Sequence, residues 1–77
     1  MVEPERLKLL LERAFPGAVV QIEDLTGTRD HYRVEITAEA FRGHSRMRQH
    51  KLVYEALGSL VGGPIHALSL KTGTPQL

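Results

Sequence analysis

Four histidines, His31, His44, His50 and His66, are the side chains of this 77-residue chain best suited to bind a metal or move a proton near neutral pH. No cysteine accompanies them. The chain therefore cannot build a thiolate zinc or iron–sulfur site from its own residues. His31 opens the alternating stretch His31-Tyr32-Arg33-Val34-Glu35-Ile36, and His66 opens a second one running to Leu70. If these are parallel neighbouring strands, their starts lie at one end of a sheet and the two imidazoles come close. Such a pair could ligate a metal whose other ligands come from a partner. Strand parity opposes this. His31 points away from the Tyr32 side, to an open face, whereas His66 shares the parity of Leu68 and the core. Only loosening at the strand ends lets them converge, and two hydrogen-bonded histidines without metal are the ordinary alternative.

A second candidate is the stretch from Ala40 to Tyr54. It holds Arg42, Arg46, Arg48 and Lys51, four of the ten Lys and Arg residues, with no carboxylate between Glu39 and Glu55. Cations at a helix N-terminus oppose the macrodipole. Solvated charge on an exposed first turn explains them cheaply. The sharper reading is a surface, with His50 included, that receives an anion or an acidic partner. The net charge of +1 gives no support to bulk nucleic-acid binding, so only this local patch speaks for it. An enzyme is not expected. Ser45 and Ser69 have no carboxylate and histidine in a recognisable arrangement. Gly58, Gly62 and Gly63 form no phosphate loop. Glu23 and Asp24 are adjacent, so on a strand they face opposite ways.

The elements that must position these residues are legible from periodicity. Residues 1–77 make one small domain with a thin core. The opening Met-Val-Glu-Pro-Glu-Arg has neither an apolar signal core nor transit-peptide character, no apolar run approaches a membrane span, and the lack of cysteine suits a reducing, cytoplasmic setting. Pro4 starts a helix whose stripe is Leu7, Leu10, Leu11 and Ala14, and Pro16-Gly17 stops it. Ala18 to Leu25 alternates as a half-buried strand, with Val20 and Ile22 inward. A Gly-containing loop, Thr26 to Asp30, closes a hairpin onto a second strand with Tyr32, Val34 and Ile36 inward. A helix begins near Ser45, an N-cap residue type. Its core stripe is Leu52, Val53, Ala56, Leu57 and Leu60, and Gly62-Gly63-Pro64 ends it. Ile65 to Leu70 is the third strand, and residues 72–77 are expected to fray. More than twenty residues join strands two and three, enough for a right-handed helical crossover and a parallel pair. The expected fold class is α+β, in the order α-β-β-α-β: a three-stranded mixed sheet with both helices on one face.

The motifs resemble those of the BolA-like proteins. The match runs from His31-Tyr32-Arg33-Val34 through Phe41-x-Gly43 to His50-Lys51-Leu52-Val53-Tyr54. It closes with Ile65-His66-Ala67-Leu68-Ser69-Leu70-Lys71 and Thr74-Pro75. It covers nearly the whole chain. The resemblance implies a domain similar to the second type of KH fold. It also implies pairing with a monothiol glutaredoxin through a bridging [2Fe-2S] cluster bound with glutathione, and for some members DNA binding. The family's C-terminal ligand histidine corresponds to His66. Its second ligand is a Cys or His in the loop between strands one and two. Here Thr26 to Asp30 contains neither, so His31, just past the loop, is the nearest candidate. Gln49 stands where the family usually has Arg, and Gln76-Leu77 replaces its acidic-aromatic ending. These departures suit a cysteine-free, bacterial-type member.

The expectation is a non-enzymatic adaptor that helps handle [2Fe-2S] clusters with a glutaredoxin, and that is a monomer or weak homodimer without the cluster. The rival is a nucleic-acid-binding regulator using the basic stretch. A small interaction domain without metal is the third possibility. The missing Gly-x-x-Gly loop of KH domains weakens the rival.

Overall fold

The structure, a computed structural model, describes residues 3–28, 30–63, 65 and 67–75. Helix α1, Pro4–Ala14, starts with proline in its first turn, where no amide hydrogen is needed. Strand β1, Val19–Asp24, follows the turn at Pro16-Gly17 and pairs antiparallel with strand β2, His31–Thr37. A short 3-10 turn, Glu39–Phe41, leads to helix α2, Arg46–Leu57. Strand β3, Ala67–Gly73, pairs parallel with β2, so the sheet order is β1-β2-β3. This is the expected α-β-β-α-β order and mixed sheet.

One face of the sheet carries the core. Val20, Tyr32, Val34 and Ile36 alternate onto it and pack in one cluster with Leu7 and Leu11 of α1 and Val53 and Leu57 of α2. Both helices therefore cover that face. The other face is polar, with Gln21, Glu23, Arg33, Ser69 and Lys71 exposed. Glu23 and Arg33 pair across it at 3.1 Å. The strand alternation forces this division, because successive side chains point to opposite sides.

Several expectations need correction. Ala14 is exposed, and Phe15, just past the helix, is buried against Phe41 at 5.0 Å between ring centroids. The helix ends at Ala14, so the chain can turn the larger ring inward, with more apolar area to remove from water. Ala56 is exposed too. It lies at the margin of the α2 stripe, and its methyl group is too short to reach the core as Leu52 partly does. Gly58, with φ +57°, ends α2 four residues before Gly62-Gly63, and a 3-10 turn, Gly58–Leu60, follows.

The third strand is also displaced. It begins at Ala67, while Ile65 is fully buried and forms an isolated bridge with Val61. It continues past Leu70: Thr72 and Gly73 stand in register with Ile36 and Thr37. Residues 72–75 are therefore held, not frayed. The Thr72 hydroxyl donates to Gln49 Oε1 at 2.6 Å, and Pro75 O accepts from Arg42 Nη2 at 3.0 Å. Pro64, His66 and the last two residues of the expected tail, Gln76 and Leu77, lie outside the described residues.

Candidate functional site: a histidine edge and a basic end

The hairpin loop is built to hold His31. Asp24 Oδ1 accepts from the amides of Thr26 at 3.3 Å and Gly27 at 3.0 Å, and Gly27 takes φ +77° to close the turn. Leu25 N donates to His31 O at 2.8 Å, which fixes the strand start. Asp30 then accepts twice at Oδ1: from the Thr28 hydroxyl, and from His31 Nδ1 at 2.8 Å. The ionised carboxylate accepts, so Nδ1 carries the hydrogen of this bond. A carboxylate that accepts from one ring nitrogen in this way is a common means of orienting a metal-ligating histidine. Sequence reasoning missed Asp30. The signal was present: an acid directly before the histidine, in a loop free to fold back.

His31 stands in register with Ala67, and Ala67 N donates to Asp30 O at 3.2 Å. The expected neighbourhood of the β2 and β3 starts is thus present on the described side. His31 has the parity of the open face, as its alternation with buried Tyr32 requires. His66 precedes Ala67 in the sequence and lies outside the described residues. Among the described residues no group of three or more His, Cys, Asp or Glu side chains could hold a metal ion.

The basic stretch folds into something other than one patch. Ser45 caps α2, its hydroxyl accepting from Arg48 N at 3.2 Å, as its residue type suggested. Arg42 is engaged by Glu39 through Nε at 2.5 Å and Nη2 at 3.0 Å, and by Pro75 O. The hydrogen bond from Arg42, helped by its charge and opposed by slight desolvation, holds Glu39 below the usual carboxylate range. Glu39 in turn raises Arg42 above the usual arginine value. The expected absence of neighbouring acids therefore fails at Arg42, because the 3-10 turn folds Glu39 back onto it. Arg46 and Arg48 are two apart on a helix, so they cannot share a face. Arg46 and His50 flank β3 beside Leu70, Lys71 and Thr72, whereas Met47, Lys51 and Tyr54 form the next strip outward. His44 is exposed. His50 Nε2 is shut off from solvent with no hydrogen-bond partner among the described residues.

Gln49 organises this end. Its Nε2 donates to Phe41 O at 3.2 Å and to His44 O at 2.9 Å, while its Oε1 accepts from Thr72. The N-terminus of α2 is thereby tied to the far end of β3. His31 and Ala67 sit at the near end. From Ala67 to Thr72 is about 16 Å along the strand. The histidine edge and the basic end are separate surfaces.

This fold agrees with known proteins over nearly its full length. The BolA-like protein family model matches residues 3–76. The chain belongs to the BolA-like family. Within it, the chain is similar to the Rickettsia prowazekii protein RP812, 41% identical over 71 residues and covering 92% of each chain. It is 32% identical to human BolA-like protein 1 over 76 residues, or 90% of this chain, and spans 56% of that protein's length. A bolA homologue from Coxiella burnetii has a solved structure with a TM-score of 0.80 and 36% identity, covering 97% of this chain and 94% of that one. The Vibrio cholerae relative is a DNA-binding transcriptional regulator, BolA, 34% identical over 74 residues, covering 96% of this chain and 64% of that protein. In this BolA-like chain no described helix is long and apolar enough to cross a membrane.

Proposed function

We propose that the chain is a non-enzymatic adaptor that pairs with a monothiol glutaredoxin to hold or pass on a [2Fe-2S] cluster. The cluster is cargo shared with the partner and with glutathione. His66 and His31 are this chain's candidate ligands. The observation that carries the reading is the Asp30–His31 pair, with His31 in register with Ala67 at the start of two parallel strands. A neutral imidazole with its Nδ1–H held by a carboxylate offers Nε2 as a ligand atom. The remaining ligands must be thiolates of the partner and of glutathione, since this chain has no cysteine. Replacing thiolate by imidazole lowers the negative charge on the cluster and raises its potential.

The test is to add the chain to a cluster-loaded glutaredoxin homodimer and follow visible circular dichroism. A new spectrum that saturates at one chain per glutaredoxin supports the adaptor. A spectrum that stays that of the homodimer contradicts it.

The regulator is a second reading, favoured by the Vibrio relative's DNA-binding description. The placement of the basic residues weighs against tight duplex binding. Arg42 is occupied by Glu39, and Arg46 and Arg48 face different ways, so few phosphates could be met at once.

A further inference from the structure

We propose that the groove between β3 and α2 is a second docking surface, which takes an extended acidic segment of a partner protein as an added strand on the β3 edge. This goes beyond the cluster reading and does not depend on it.

Strand β3 is an edge of the sheet, with β2 on one side and no strand on the other among the described residues. Ala67 N and Gly73 O both bond toward the β2 side. By the alternation of a parallel ladder, the amides and carbonyls of Leu68, Leu70 and Thr72 face the free edge. No residue of β3 is fully buried. An edge of this kind is a template for one more strand, and main-chain pairing with a peptide is a common recognition mode.

The chemistry beside this edge selects the occupant. Arg46 and His50 line the groove with Leu70, Lys71 and Thr72. His50 also lines the next strip, with Met47, Lys51 and Tyr54, and Glu55 is the one acid there. Met47 is 83% exposed and Tyr54 40% exposed. Arg46, Lys51 and Lys71 make no ion pair among the described residues. The groove and its rim therefore offer main-chain groups, the cations Arg46 and Lys51, Lys71 on the open face of the same edge, and two exposed apolar side chains. An extended segment alternating acidic and apolar residues matches each of these. A second copy of this chain would bring its own cations to the edge, and lysine on an edge strand discourages self-pairing. A nucleic acid would satisfy the cations but leave the β3 amides and Met47 without counterparts. The Arg46 end of the groove lies at the opposite end of β3 from His31.

The test uses the full chain, isotopically labelled, and a synthetic heptapeptide alternating Asp with Val. Saturable shifts should appear at the amides of Leu68, Leu70, Thr72 and Arg46, with the Thr72 and Leu70 amides gaining exchange protection. Arg46→Glu combined with Lys71→Glu changes two exposed residues and should weaken binding roughly tenfold or more. A peptide with Lys for Asp should not bind, nor should one N-methylated on its pairing edge. The proposal is overturned if the Asp peptide gives no saturable shifts. It is equally overturned if the N-methylated peptide binds as well, if short duplex DNA binds these residues more tightly at physiological salt, or if the chain dimerises through this edge instead.

Discussion

His31 of β2 stands directly opposite Ala67 of β3, the residue that follows His66 in the sequence. Two segments far apart in the chain thus begin at one end of the sheet, and the carboxylate of Asp30 holds the imidazole that lies there.

The Asp30 carboxylate should govern the His31 tautomer. In the wild type, nitrogen NMR of the neutral imidazole should report hydrogen on Nδ1. In Asp30→Ala the population should shift toward the Nε2–H form, and the cluster shared with glutaredoxin should decay faster. Asp30→Glu should restore part of both signals. A tautomer ratio that stays the same in Asp30→Ala would remove Asp30 from this positioning role.

The α2 register has a sharp consequence for stability. Leu57 is 4% exposed and packs in the core, so Leu57→Ala should cost about 2–5 kcal/mol. Ala56 is exposed, so Ala56→Glu should stay within about 0.5 kcal/mol of wild type. Denaturant unfolding of the two variants decides it. Equal losses would mean the helix is rotated from the placement described.

The Glu39–Arg42 pair makes a prediction in acid. The folded pKa of Glu39 is lowered, chiefly by the hydrogen bond from Arg42. The contribution of the pair is therefore present above the ordinary glutamate value and is lost as pH falls through the lower, folded value. The stability gap between wild type and Glu39→Gln should close over that acid range. A carboxyl titration by NMR should find the Glu39 midpoint below the normal range, returning to it in Arg42→Gln. Identical midpoints in the two proteins would contradict the pairing. Both groups are exposed, so the effect is one of local order at the end of β3.

Much of the fold was legible because strand alternation is a strong signal. Val20, Tyr32, Val34 and Ile36 took the inward side that their parity required, and Ser45 capped α2. What escaped depends on contacts made across the chain. Thr72 and Gly73 look like tail residues until Thr72 meets Gln49 and Gly73 meets Thr37. Phe15 falls outside the helical stripe, and its place in the core depends on a tilted ring contact with Phe41. At the candidate site, His31 was read from the residues and Asp30 was not. The basic stretch looked like one patch because sequence distance hides both the rotation between Arg46 and Arg48 and the return of Glu39 onto Arg42. Its separation from the histidine edge follows from a parallel crossover, in which the helix runs back against the strands.

The proposed function requires imidazole from this chain to ligate the shared cluster. Pulsed EPR on the reduced [2Fe-2S] heterodimer with a monothiol glutaredoxin reads that bond directly, through hyperfine coupling to the ligand nitrogen. Strong imidazole nitrogen coupling is expected in the wild type, reduced in His66→Ala and in His31→Ala, and lost when both are replaced, with the apo fold intact. A heterodimer whose cluster shows no imidazole coupling, or whose coupling survives unchanged in the double variant, would contradict that ligation.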